Sequence, residues 1–335
     1  MTELFRQSGD IPLPLAYIDP GIRNVLYALD GNSRLNFGEL AGRANMSARQ
    51  VRYRLDAVHE RGVMAQCHAA VDTGLLGEIE TRIFLSLTGE EPFSRLREFC
   101  LHFPQVKWLA RLEGAYSAGI TFRSSGLFSL GRFLHEVRIV LGDDVRTFSS
   151  NVVLWSRYLP RGYLAVGDVP WGNRGQSFGS AVSDQAPIML DDIDRGIVKE
   201  LERDGRCSFT AIAEALPLAG LSVSRETVAR REAALRKRGV ITGYTYVLNH
   251  ATLGVIQHRL FLRCDARVAG AVVELAARHP RISKVMKLMG DWDFELNVDV
   301  PMGASISETV RELEATCRNW IFQTDYFCVK ERVFL

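Results

Sequence analysis

Two stretches of the chain carry residues suited to gripping a phosphate-lined groove. Residues 224–238 hold six basic side chains (Arg225, Arg230, Arg231, Arg236, Lys237, Arg238) against two acids (Glu226, Glu232). Residues 47–61 hold four (Arg49, Arg52, Arg54, Arg61) against two (Asp56, Glu60). Each stretch opens on a serine, Ser47 with Gln50 three residues on, and Ser224, which suits the cap of a helix. Val51, Leu55 and Val58 in one, and Val228 and Leu235 in the other, fall on one side at helical spacing, which leaves the arginines outward. A single helix of this kind is usually just solvated. Here it occurs twice, each time as the third of three short helices and each time followed by Gly-Val and a strand-like run. That is the layout of a helix-turn-helix, in which Ser hydroxyls, helix-terminal N–H groups and Arg reach phosphates while first-turn residues reach base edges. The candidate DNA-binding sets are Ser47, Arg49, Gln50, Arg52, Tyr53 and Arg54, and Ser224, Arg225, Glu226, Thr227, Arg230 and Arg231. Gln50 suits adenine and Glu226 can accept from a cytosine amino group, so the two half-sites should differ.

Other chemistry finds little support. The six cysteines (Cys67, Cys100, Cys207, Cys264, Cys317, Cys328) form no C-x-x-C pair and have no His pair at zinc-ligand spacing, which reads as reduced core thiols. His59, His68, His102, His135, His250, His258 and His279 are scattered, with His102 and His279 at helix ends near Pro104 and Pro280. No Gly-rich phosphate loop, nucleophile elbow or metal triad is present, so the expectation is no catalytic residue, no metal and no cofactor. A net charge of +2 puts any nucleic-acid affinity in local patches rather than bulk charge. The 335 residues, 47% hydrophobic, imply two or more domains with full cores. Apolar runs are strand-sized and the N-terminus lacks the pattern of a secretion leader, so the chain reads as cytoplasmic and without membrane contact.

The elements that must position these residues are written twice. Val25, Leu29, Arg34, Phe37, Leu40 and Ala41 recur 172 positions later as Ile197, Leu201, Arg206, Phe209, Ile212 and Ala213. After five extra residues (Leu216-Pro217-Leu218-Ala219-Gly220), which should enlarge the second turn, Ser47, Val51, Arg54, Arg61, Gly62 and Val63 recur 177 later as Ser224, Val228, Arg231, Arg238, Gly239 and Val240. Pro104, Leu112, Gly114 and Tyr116 return 176 later as Pro280, Leu288, Gly290 and Trp292. Between the copies, residues 160–187 hold five Gly and three Pro without an apolar period and read as a linker.

After its three helices each copy alternates strand and helix in the order β-α-β-β-α-β. In the second copy, Leu260, Leu262 and Cys264 keep period two, Val272, Leu275 and Ala276 keep helical spacing, and Phe294, Leu296, Val298 and Val300 alternate with Glu295, Asn297 and Asp299. Two helices would cover one sheet face and leave the other free to pack on a second sheet. The strand bearing Asp293, Glu295, Asn297 and Asp299 would suit a neutral or basic partner such as its counterpart with Ser117, Gly119, Thr121 and Arg123, rather than a copy of itself.

LDDIDRGIVKELERDGR (190–206), AIAEAL (211–216), SRETVARREAALRKRGVITGY (224–244), Leu253-Gly254 and GDWD (290–293) resemble the Lrp/AsnC family of transcriptional regulators. The first copy resembles it more faintly, with Ile22 in place of Asp194 and Ala115-Tyr116-Ser117 in place of Asp291-Trp292-Asp293. The resemblance implies an α+β fold of two repeats, each a winged helix-turn-helix followed by a ferredoxin-like βαββαβ module of the RAM type. The implied boundaries are 17–72 and 78–159, the linker 160–187, then 188–248 and 255–335. A family protomer is about half this length, so the chain looks like two fused protomers forming an intramolecular pseudo-dimer, with further homo-oligomers left open. It implies a sequence-specific regulator binding double-stranded DNA and a small-molecule effector such as an amino acid. The effector site is placed at Gly290, Asp291, Trp292 and Asp293, because Ser117 lacks the carboxylate that could receive an α-amino group. A tight turn with a satisfied Asp is the competing reading of that loop. Siroheme decarboxylases resemble the same family and occur as fused pairs, so an enzyme is one alternative. A metabolite-sensing module without DNA binding is another.

Overall fold

The structure is a computed structural model that describes residue 15 and residues 18–167, 178–183, 186–216, 223–317 and 320–333. The first half runs α1 (Pro20–Asp30), α2 (Phe37–Ala44), α3 (Ala48–Glu60), β1 (Met64–Val71), β2 (Ile79–Leu87), α4 (Glu90–Leu101), β3 (Val106–Glu113), β4 (Ala118–Ser124), α5 (Leu127–Leu141) and β5 (Val145–Tyr158). A short β6 (Phe178–Ala181) precedes the second half. That half repeats the order as α6 (Asp192–Arg203), α7 (Phe209–Ala215), α8 (Arg225–Lys237), β7 (Ile241–Leu248), β8 (Val255–Cys264), α9 (Ala269–Arg278), β9 (Ile282–Met289), β10 (Phe294–Pro301), α10 (Ile306–Cys317) and β11 (Ile321–Val333). These elements do not divide at the middle of the chain. They assort into two compact units, each built from both halves: Pro12–Leu76 with Arg157–Gly254, and Gly77–Ser156 with Val255–Leu335.

The first unit holds the six short helices, and each of them starts on a side-chain cap. Asp19 accepts from the Ile22 N–H at 2.9 Å with Pro20 at the first helical position. Asn36 and Glu39, and Ser47 and Gln50, form reciprocal capping boxes. Asp191, Ser208 and Ser224 cap α6, α7 and α8 through the N–H groups of Asp194, Ala211 and Thr227. Val25, Leu26, Leu29, Leu40, Val51, Leu55 and Val58 pack the first trihelix, and Ile197, Leu201, Ile212, Val228, Leu235 and Val240 the second. Full burial of each such side chain contributes about 1.5–3 kcal/mol.

The strand after each third helix pairs across the halves. β1 and β7 run antiparallel, with Met64 opposite Leu248, Cys67 opposite Tyr246 and Val71 opposite Ile241. The wing expected within each copy is therefore shared, one strand from each. Such a strand exposes a row of backbone N–H and C=O groups, and its equivalent from the other half satisfies them. Part of the presumed linker also belongs to this unit. Tyr163 and Leu164 are buried, and the Arg161 side chain bonds both the Asp30 carboxylate and the Tyr246 carbonyl. Phe178 in β6 stacks on Tyr158 with ring centroids 5.2 Å apart. Leu216 is buried, whereas the rest of the inserted Leu216-Gly220 turn lies outside the described residues.

The second unit is a ring of strands. Each half gives a four-stranded sheet, β5-β2-β4-β3 and β11-β8-β10-β9, and the halves join at both edges, β3 with β11 and β9 with β5, with β5 returning to β2. The sheets expected to pack face to face are thus also hydrogen-bonded edge to edge, which leaves neither with an unpaired edge. The helix-facing side of the first half is apolar: Ile83, Leu85, Leu96, Ile120, Phe122, Phe133 and Val137 form one core. The inner side holds Phe84, Phe261, Phe327, Tyr116 and Trp292. Among them Glu295, fully buried, takes both Arg82, at 2.9 and 3.0 Å, and Arg259, at 3.3 Å. The Trp108 ring lies 4.5 Å from one guanidinium carbon and 5.0 Å from the other. Burial pushes the Arg259 guanidinium down to about 9 against the pull of Glu295. The acidic strand does meet a basic partner from the other half, but through Arg82 on β2. Of the anticipated counterpart residues, Thr121 accepts from Arg82, and Arg123 pairs with Glu80 instead.

Candidate nucleic-acid interface

The geometry of the third helices follows from their caps. The Ser47 hydroxyl accepts from the Gln50 N–H at 3.2 Å, and the Gln50 carbonyl oxygen accepts from the Ser47 N–H at 2.9 Å. Gln50 keeps one lone pair of that oxygen and both amide N–H groups for a base. In α8 the Ser224 hydroxyl accepts from the Thr227 N–H, and the two hydroxyls stand 3.2 Å apart. Ser47, Arg49, Gln50, Arg52 and Tyr53 are exposed in the first half, Tyr53 to 74%, as are Ser224, Arg225, Glu226 and Arg230 in the second. Arg52 lies 5.0 Å from the Phe37 ring, which steers its outer end, and Arg225 stands 3.9 Å from Glu226. Arg49 and Arg230 have no charged partner among the described residues.

Two members of the sets are held elsewhere. Arg54 is half-buried, 3.4 Å from the Asp19 carboxylate, and its guanidinium covers Gly21 so closely that a Cβ there would collide with it. Arg231 occupies the equivalent place, 2.5 Å from Asp191 and 3.1 Å from Asp194. Arg238 approaches Asp194 at 3.5 Å. In each half this arginine pins the third helix to the cap of the first. The Asp194 N–H, followed by Arg231, holds the Asp191 carboxyl below the usual carboxylate range, and Asp191 and Asp194 raise Arg231 in turn. The pairing is visible in the sequence once looked for, since both the arginines and the capping aspartates recur in the repeat. Glu232 is the residue the helix reading missed. Counted above only as one of the two acids of 224–238, it is buried at 4% exposure, accepts from the Tyr244 hydroxyl at 2.6 Å and pairs with Arg236 at 2.9 Å. It stands where the first half has Leu55, inside the apolar stripe.

The 290–293 loop is a tight turn between β9 and β10. Gly290 has φ +154 with Asn151 and Ser150 oxygens where a Cβ would stand, and the Trp292 N–H donates to Asn151 at 3.0 Å. Trp292 is buried beside Phe261. Asp293 accepts from the Cys264 N–H at 3.0 Å and pairs with Lys287 at 3.1 Å, while Asp291 is exposed. Ser117 does the equivalent work in the first half, accepting from the Leu87 N–H at 2.7 Å. Asp293 and Ser117 thus share a structural task, and a free carboxylate in this loop exists only at Asp291.

Comparison with known proteins agrees with this geometry. A family model of the AsnC-type helix-turn-helix domain matches residues 190–236. The HTH-type transcriptional regulator FL11 of Pyrococcus furiosus is 31% identical over 111 residues, 33% of this chain and 70% of that protein. The HTH-type transcriptional regulator LrpA of Mycobacterium tuberculosis is 45% identical over 65 residues, 19% of this chain and 40% of that protein. Among solved structures, the siroheme decarboxylase NirDL superposes with a TM-score of 0.57 at 14% identity, covering 93% of this chain and 91% of that one. That likeness is one of fold. With six capped helices in two trihelical sets and a relative matched over most of its own length, the chain belongs to the Lrp/AsnC family of helix-turn-helix transcriptional regulators.

Proposed function

We propose that the protein is a sequence-specific, double-stranded DNA-binding regulator in which α3 and α8 each enter a major groove at one of two non-identical half-sites. The observation that carries this reading is the contrast on the third helices. Arg54 and Arg231 are turned inward to Asp19 and Asp191, whereas Arg49, Arg52, Arg225 and Arg230 stand exposed around a capped helix start. Exposed cations beside a helix N-terminus suit phosphates, and Gln50 and Glu226 give the two faces different base preferences. The reading faces are thus narrowed to Ser47, Arg49, Gln50, Arg52 and Tyr53, and to Ser224, Arg225, Glu226, Thr227 and Arg230. The two edge joins of the strand ring support a chain that acts as its own pseudo-dimer, which should run at single-chain mass in light scattering.

The test is selection of duplexes from a random library, followed by binding of the enriched sequence at several salt concentrations. Asymmetric paired sites, an affinity that falls steeply with salt, and loss of binding in Arg49→Ala/Arg52→Ala are expected. No enrichment would overturn the reading. An amino-acid effector would meet the second half at Gly290, Asp291, Trp292 and Asp293, with Asp291 supplying the carboxylate for an α-amino group. Amino acids should then shift the DNA dissociation constant, and Asp291→Asn should abolish the shift. The fold shared with NirDL keeps one enzymatic reading testable: a change in the visible spectrum on titrating siroheme would favour it over the regulator.

A further inference from the structure

The arginines that recur at positions 34 and 206 take no part in either reading face. Arg34, in the α1–α2 turn, donates to the carbonyls of Gly205 and Cys207, the latter at 2.9 Å. Arg206, in the α6–α7 turn, donates back to the Ser33 carbonyl at 2.6 Å. The backbone repeats the exchange: the Ser33 N–H donates to the Tyr244 carbonyl at 3.1 Å and the Gly205 N–H to the Cys67 carbonyl at 2.8 Å. Each turn is thus fastened to the other half's turn and to its strand. The approach is closest at Gly205, where a Cβ would stand 2.9–3.0 Å from the His68 backbone, while Ser33 adds a bond from its hydroxyl to the Thr245 carbonyl at 2.8 Å.

The fastening reaches a reading helix. The Arg34 guanidinium lies 4.7 Å from the Phe209 ring and 5.5 Å from the Tyr244 ring, and Tyr244 donates to the buried Glu232 of α8. A side chain of the first half therefore touches the residue that anchors the second half's helix.

We propose that Arg34 and Arg206 form a reciprocal clasp that fixes the separation of α3 and α8, and so sets the half-site spacing the protein accepts. This rests on the paired half-site reading above. One base pair inserted between half-sites moves the second by about 3.4 Å and roughly 35° around the duplex. A pair held by the clasp as well as by the β1–β7 pairing resists that displacement, whereas loss of the clasp leaves the two-stranded pairing and its backbone bonds, which yield more readily to twist. Neither arginine reads DNA, so the clasp should govern spacing and leave affinity for one half-site alone.

The experiment uses the full chain, the enriched duplex, the same duplex with one or two base pairs inserted or deleted between half-sites, and a duplex holding one half-site. Wild type should lose about tenfold or more per added or deleted base pair. Arg34→Ala/Arg206→Ala should reduce the penalty per base pair by about threefold or more and keep wild-type affinity for the single half-site. Arg34→Lys/Arg206→Lys, which keeps charge but loses the forked donor, should fall between. If the alanine pair does not fold, Gly205→Ala, which forces the halves apart at His68, should move the preferred spacing. Failure of wild type to bind any duplex would sink the regulator reading. Tight binding with an unchanged spacing penalty in folded clasp variants and in Gly205→Ala would sink the clasp alone.

Discussion

The two third helices are the same device anchored by different means. α3 rests on the apolar row Val51, Leu55 and Val58 and, among the described residues, on one ion pair, Arg54 with Asp19. α8 replaces the middle of that row with Glu232, bonded by Tyr244 and Arg236, and gives Arg231 two carboxylates, Asp191 and Asp194. The first half has Ile22 where Asp194 stands. One copy of the same three-helix arrangement can therefore trade dispersion and area burial for directed polar bonds without losing the helix, provided every buried polar group keeps a partner.

The largest test of this contrast is Leu55→Ala, which removes buried volume with nothing polar to refill it and should cost about 2–5 kcal/mol in urea unfolding. The matched change Glu232→Ala strands the Tyr244 hydroxyl and should cost about 1–3 kcal/mol. Glu232→Leu with Tyr244→Phe, which rewrites the second half in apolar terms, should recover most of that, and a loss as large as that of Glu232→Ala would show that the polar bonds hold α8 in place. Next comes the cap. Asp191→Ala and Asp19→Ala should each cost about 1 kcal/mol. The Asp191 carboxyl, held low by the Asp194 N–H and Arg231, contributes stability above its ordinary value near 3.9 and loses it as pH falls through the lowered one. The gap between Asp191→Asn and wild type should therefore be full above about pH 5 and close progressively below about pH 4. The smallest expected effect on stability is at the exposed arginines. Arg49→Ala and Arg230→Ala should leave the urea midpoint unchanged and lower the salt dependence of DNA binding by about one ion per lost phosphate contact.

Local signals were strong enough to read much of this molecule without coordinates. The Ser47 and Gln50 box, the Ser224 start and the alternation of 294–300 each state a helix cap or a strand within a few residues, because caps and pleats are set by neighbours in sequence. The repeat extended that reading to the second half. Pairings between the halves were not legible. Nothing in 64–71 or 241–248 says that these strands take each other as partners rather than a hairpin of their own. Arg54 and Arg231 look like their outward neighbours on a helix because a long side chain can turn back from an exposed position.

Composition, period and internal recurrence determined the elements, their order and the two arginine-bearing helices, since those depend on short-range sterics and on which face must leave water. The tertiary structure decided which arginines remain free, that Glu232 belongs to the core, and that Arg34 and Arg206 bind across the halves. Those outcomes depend on which carboxylate, ring or carbonyl lies within about 3–5 Å in space, and chain separation carries no information about such distances.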